Sequence, residues 1–167
     1  MQLRPLFPLL GSSVRHGSRP LAALILAPVL ALAGAPLLAA STGGTSVTIT
    51  ITDLRNSKGV VRACMTDDTK VFPKCRQDPK SHRAVVNAAG TVTITFENVA
   101  PGTYAIALLH DENNNGKADR ALMMMPKEGY GFSRDAKVKM GPPSFKSAAF
   151  EVADKPLSQT IRMRYML

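Results

Sequence analysis

From Ser46 the chain alternates between apolar and polar positions. In SVTITITDL, Val47, Ile49 and Ile51 are separated by Thr48, Thr50 and Thr52, a period of two built from β-branched residues. Successive side chains of a strand point to opposite faces, so this run predicts a strand with one face on a core. Arg55-Asn56-Ser57-Lys58-Gly59 reads as a turn and Val60–Met65 as the returning strand, with a weaker strand over His82–Asn87. Thr91–Phe96 alternates again, with Val92, Ile94 and Phe96 on one side. Asn98–Gly102 then places Pro101 and Gly102 as a type II turn takes them. Tyr104–His110 (YAIALLH) reads as a strong central strand, and Phe145–Val152 and Leu157–Tyr165 close the set. The last sets Ile161, Met163 and Tyr165 on a core face against Arg162 and Arg164 on a wet one. No helical period stands out beyond a short turn within Thr66–Phe72. About seven strands joined by polar turns predict an all-β fold, an antiparallel two-sheet β-sandwich.

The first forty residues follow a different pattern. Met1–Pro20 carries Arg4, Arg15, His16 and Arg19 and no acid, and Leu21–Ala40 (LAALILAPVLALAGAPLLAA) carries no charge. A basic segment, an apolar stretch and then small residues are what a secretion machine reads, so residues 1–40 are expected to be a signal peptide. Leu38-Ala39-Ala40 and Ala39-Ala40-Ser41 both fit the small-x-small cleavage rule, which puts the mature start near Ser41. A retained membrane anchor is the rival reading, but Pro28, Gly34 and Pro36 interrupt the apolar run. The expectation is one domain, residues 41–167, with no permanent membrane span after processing.

Processing changes the charge. Taking Arg4, Arg15 and Arg19 from the 21 basic residues leaves 18 against 12 acids, a net of +6. These bases are scattered, without the basic face and interleaved aromatics of a nucleic-acid surface, so nucleic acid is not an expected partner. Cys64 and Cys75 are the only cysteines. In an exported chain they suit one disulfide, and no second pair suggests zinc.

The richest polar stretch is His110–Asp119, HDENNNGKAD. Counting from Asp111, oxygen side chains fall at positions one, three, five and nine (Asp111, Asn113, Asn115, Asp119), with Gly116 at six. That is the front of a calcium loop, in which alternate oxygens meet a hard cation and glycine allows the sharp turn. The back departs from it, because position twelve is Leu122 rather than a bidentate Glu, and no helices flank it. One reading is a weak Ca²⁺ site using Asp111, Asn113, Asn115, the Lys117 carbonyl and Asp119, with Glu128 in place of the absent ligand. The other is a tight turn, since Asn and Gly accept left-handed backbone and Asp caps nearby N–H groups.

Beyond it, PKEGYGFS sets Glu128, Tyr130 and Phe132 among Gly129 and Gly131. With His110 these form a candidate ligand-binding surface, or else Tyr130 and Phe132 fold back to plug a core. Met123-Met124-Met125 reads as flexible apolar filler. His110 with Asp111 or Glu128 is the only pairing that suggests acid–base catalysis, and no hydrolase, metalloprotease or nucleotide-binding motif accompanies it.

FENVAPGTYAIALLHDENNNGKAD, PKEGYGFS and GPPSF occur in that order and closely resemble a bacterial family of exported proteins, domain-of-unknown-function family 2141. The shared positions include Pro101, Gly102, Tyr104, His110, Asp111, Asn113, Asn115, Gly116, Asp119, Glu128, Gly129, Tyr130, Gly131, Phe132 and Pro143. Met123–Met125 departs from the family, which commonly has a Gly before the Pro. The resemblance implies a compact exported β-domain similar to immunoglobulin-like or transthyretin-like modules, and implies no activity. The function expected is therefore a non-enzymatic binding or structural module in the periplasm or medium, with an envelope or extracellular ligand. The alternative is a small hydrolase-like enzyme using His110 with Asp111 or Glu128.

Overall fold

The computed structural model of the protein describes residues 44–121 and 125–167. The expected signal peptide over residues 1–40, residues 41–43, Leu122, Met123 and Met124 lie outside the described residues. Eight strands form: β1 (Thr45–Thr52), β2 (Val60–Thr66), β3 (His82–Asn87), β4 (Val92–Val99), β5 (Gly102–Asp111), β6 (Gly129–Phe132), β7 (Phe150–Val152) and β8 (Leu157–Arg162). A single helical turn, α1 (Phe145–Ala148), precedes β7. One sheet has the order β4-β1-β8 and the other β3-β2-β5-β6, with β7 pairing β5.

The two sheets stack as the alternation requires. Val47, Ile49 and Ile51 of β1, Val92, Ile94 and Phe96 of β4 and Ile161 of β8 meet Val61, Ala63 and Met65 of β2 and Ile106 and Leu108 of β5 in one core. Ile49, Ile51, Val61, Met65, Ile106 and Ile161 have no solvent exposure. Burying an aliphatic chain of this size is worth roughly 1.5–3 kcal/mol, so these residues set both register and stability.

Three details differ from the sequence expectation. First, β8 runs parallel to β1, whereas every other named pair is antiparallel. The β4–β5 and β7–β8 connections both cross between sheets and reverse the chain. β5 therefore opposes β4, β7 opposes β5, and β8 regains the direction of β1. Second, Phe145–Val152 is not one strand. Ser144 accepts the Ser147 N–H and starts α1, Ala148 packs inward, and extended backbone resumes at Phe150. Third, GYGF is a strand. Its inward positions are Gly129 and Gly131, so the period-two signal had no side chains to carry it.

A second packed layer covers the outer face of β2, β5 and β6. Ala105 and Ala107 leave room on β5 for Cys64, Phe72, Cys75, Phe132, Ala136 and Ala148. The Cys64–Cys75 disulfide ties the β2–β3 connection down onto this face. Phe72 meets Phe132 and Phe145 edge-on, with centroids 6.0 and 5.9 Å apart. Closing so short a loop covalently is worth about 2–3 kcal/mol on the chain-entropy model.

Candidate functional site

The HDENNNGKAD and PKEGYGFS blocks come together where β5 ends and β6 begins. His110 pairs with Gly129 across that ladder, and Asp111 ends β5 opposite Val60 of β2. The chain after β8 returns here too, because Arg164 and Tyr130 exchange backbone hydrogen bonds of 2.8 and 2.9 Å.

His110 is fully buried. Its Nε2 lies 2.8 Å from the Lys58 carbonyl and its Nδ1 lies 2.7 Å from the Tyr165 hydroxyl. A carbonyl only accepts, so Nε2 carries the proton and Nδ1 accepts from the Tyr165 hydroxyl. The Tyr165 oxygen in turn accepts the Arg55 backbone N–H at 3.2 Å. Burial, with the Glu112 charge adding, pushes the Tyr165 hydroxyl above its ordinary range, which keeps it a donor. Gly129 makes the packing possible: a Cβ there would run into the Tyr165 ring. Arg55 caps the cluster from outside. Its guanidinium lies 4.6 Å over the Tyr165 ring, pairs with Glu112 at 2.6 Å and donates to the Lys127 carbonyl at 2.9 Å.

The acidic loop is built around its first residue. Asp111 is fully buried; its Oδ1 accepts the Asn115 N–H at 3.0 Å and its Oδ2 the Gly116 N–H at 2.8 Å. Arg62, on the outer face of β2, reaches the same Oδ2 through Nε at 2.6 Å and holds Asn114 Oδ1 through Nη2 at 2.7 Å. Burial alone would raise the Asp111 carboxyl, but Arg62 and the two N–H groups outweigh it and hold the group below its ordinary value. Asn113 Oδ1 accepts the Asn115 N–H and Asn115 Oδ1 accepts the Lys117 N–H. Asp119 receives the Asn113 and Asn115 side-chain amides at 2.8 and 3.0 Å. Gly116 and Asn114 both take left-handed backbone.

Glu128 faces this loop. It is 5% exposed, and its Oε2 accepts the Asp119 N–H at 3.0 Å. Its Oε1 is buried and has no hydrogen-bond partner among the described residues. Burial pushes its carboxyl above the ordinary value; the bonded Asp119 N–H opposes the rise, the Asp111 and Asp119 charges add to it, and the Glu112 N–H, outside hydrogen-bond geometry, opposes it least.

The residues singled out from sequence are thus gathered at one end, but in different environments. Asp111, Asn113, Asn115, Lys117 and Asp119 form one hydrogen-bonded loop with Glu128 against it. His110 is buried, with both its nitrogens hydrogen-bonded inside the chain. Phe132 is buried in the outer layer and Tyr130 packs on it at 6.1 Å between centroids, so these rings plug that layer. Arg55, Arg62 and Tyr165 escaped notice as site residues. Tyr165 lay on the predicted core face of the last strand, whereas Arg55 and Arg62 needed the strand register to find their acids. Among the described residues no three His, Cys, Asp or Glu side chains meet as a ready metal cage. Among them, too, no helix is long and apolar enough to cross a membrane. A shallow groove of about 640 Å³, lined by Thr103, Arg134, Lys146 and Phe150 among others, lies toward the opposite end of β5.

Two stacked sheets, a disulfide-tied outer layer and a polar end filled by its own side chains define a small β-sandwich domain. Residues 49–160 match the family described as "Uncharacterized protein conserved in bacteria (DUF2141)", and the chain belongs to that family. Comparison with curated proteins and with solved structures gave no match.

Proposed function

We propose that the protein is an exported, non-enzymatic module of the bacterial envelope with a binding or structural role. The observation that carries this reading is the packing of His110. A general acid or base must reach the proton it transfers, within about 3 Å of a substrate or of one water. His110 has no exposed surface and faces a carbonyl and a phenol rather than a carboxylate. Nothing in these surroundings favours the hydrolase-like alternative. The buried disulfide supports the export half, since such bonds persist in oxidising compartments.

Fractionation of a bacterial host producing the full chain with a C-terminal tag tests this. The tagged product should appear outside the cytoplasm, shorter by about forty residues, with both thiols unreactive until a reductant is added. A full-length cytoplasmic product with two labelled thiols would overturn it.

A further inference from the structure

We infer that the Asp111–Asp119 loop and Glu128 together form a divalent-cation site suited to Ca²⁺.

The loop supplies oxygens at the right spacing. Asp111, Asn113 and Asn115 fold back over the N–H groups of Asn115, Gly116 and Lys117, and Asp119 lies within 3.0 Å of both Asn amides. Spacing and turns of this kind also occur in loops that bind nothing. Glu128 is the independent observation. It comes from a different segment, is nine-tenths buried or more, and joins the loop through Oε2 on the Asp119 N–H while its Oε1 is buried with no partner among the described residues. A buried carboxylate oxygen without a donor is costly, and a cation is the partner that removes the cost.

Charge points the same way. Arg62 answers Asp111, but no ion pair answers Asp119 or Glu128 among the described residues. Two unanswered carboxylates beside amide oxygens call for a dication. The donors are all oxygen, with no thiolate or imidazole, which selects a hard ion. Calcium accepts carboxylate, amide and backbone oxygens in irregular numbers, whereas magnesium demands a near-ideal octahedron. That the carboxylates alone do not gather into a cage is consistent with this. Asp111 is held by Arg62, and the remaining ligands of such a loop are amide and backbone oxygens. Binding would draw in Glu128 Oε1 and turn the Asn113 and Asn115 amides, now donors to Asp119, to present oxygen. With so few carboxylates the affinity belongs in roughly the 10⁻⁴–10⁻³ M range of extracellular modules.

The test is a Ca²⁺ titration of EDTA-treated, disulfide-intact protein, followed by NMR at the Asn115, Gly116 and Asp119 amides. Saturable shifts are expected at those three amides, with Mg²⁺ binding at least about tenfold more weakly. Asn115→Asp adds a charge at an exposed position and should tighten binding several-fold, a gain that misfolding cannot produce. Glu128→Gln keeps an acceptor for the Asp119 N–H and should weaken binding about tenfold or more. Absence of saturable shifts at about 10 mM Ca²⁺ would overturn the site. So would wild-type affinity in both variants.

Discussion

His110 and Glu128 lie on paired segments at one end of the sandwich, and both are almost wholly removed from water. Their treatment differs. His110 has a donor for its accepting nitrogen and an acceptor for its donating one, and Tyr165 extends the network to Arg55. Glu128 has one oxygen bonded and one orphaned, with two other carboxylates nearby. A satisfied buried polar group fixes a structure, whereas a half-satisfied one carries a free-energy cost that some further partner can relieve. The acid–base candidate of the sequence is thus satisfied within the fold, whereas Glu128, the candidate cation ligand, keeps one buried oxygen without a partner among the described residues.

The largest way to break this comparison is His110→Leu. It removes two hydrogen bonds, leaving the Tyr165 O–H without its acceptor, although the oxygen keeps the Arg55 N–H, and the Lys58 carbonyl without the ring donor. Each such orphan costs about 1–3 kcal/mol, so the loss in unfolding free energy should reach about 3 kcal/mol by denaturant titration. A loss below about 1 kcal/mol would mean that the network is dispensable, and the contrast with Glu128 would collapse.

Legibility in the sequence followed the same division. The strands of the core were readable because Val47-Ile49-Ile51 and Val92-Ile94-Phe96 write their period in side chains. β6 was not, because Gly129 and Gly131 face inward and erase it; their purpose became visible only when the Tyr165 ring and Ile161 were found above them. The oxygen spacing of the acidic loop was readable, and so was Glu128 as a candidate partner. The ion pair of Asp111 with Arg62 was not, since 49 residues separate them and only the β2–β5 register brings them together. His110 read as a ligand-binding or acid–base candidate, and its hydrogen-bonded burial was not legible because it depends on a tyrosine 55 residues later.

The second test sharpens the contrast from the Glu128 side and carries the opposite sign. In metal-free buffer Glu128→Gln should stabilise the fold by about 1 kcal/mol, because an amide replaces a buried charge while retaining an acceptor for the Asp119 N–H. The pH dependence follows from the upward shift of this carboxyl. Below its ordinary value of 4.5 both folded and unfolded chains hold the proton, and the acid carries no charge penalty. As pH rises past that value the unfolded chain releases the proton first, so the wild type loses stability until the folded pKa is passed. The advantage of Gln should therefore be small in acid and grow toward neutrality. Thermal melts of both proteins across pH read this directly, and a destabilised Gln variant at pH 7 would show that the carboxylate is already satisfied.

The smallest effect calibrates the other two. The Asp135 carboxylate accepts the Arg162 Nε–H at 2.7 Å and the Arg162 backbone N–H at 3.0 Å on β8, but the pair is half open to water. Burial pushes the Asp135 carboxyl up, and the Arg162 N–H and guanidinium more than reverse it, leaving the group below 3.8. A depressed carboxyl contributes stability that is complete above its unfolded pKa and lost as pH falls through the folded one. Asp135→Asn should therefore lower the melting temperature slightly at pH 7, by less than either change above, with the difference closing below pH 3.8. Solvent and salt screen such a pair, so the pH 7 difference should shrink further in high salt. If Asp135→Asn instead matched His110→Leu in cost, exposure would not be what separates strut from surface in this domain. The edge of β8 would then rank with the His110 network as a determinant of the fold.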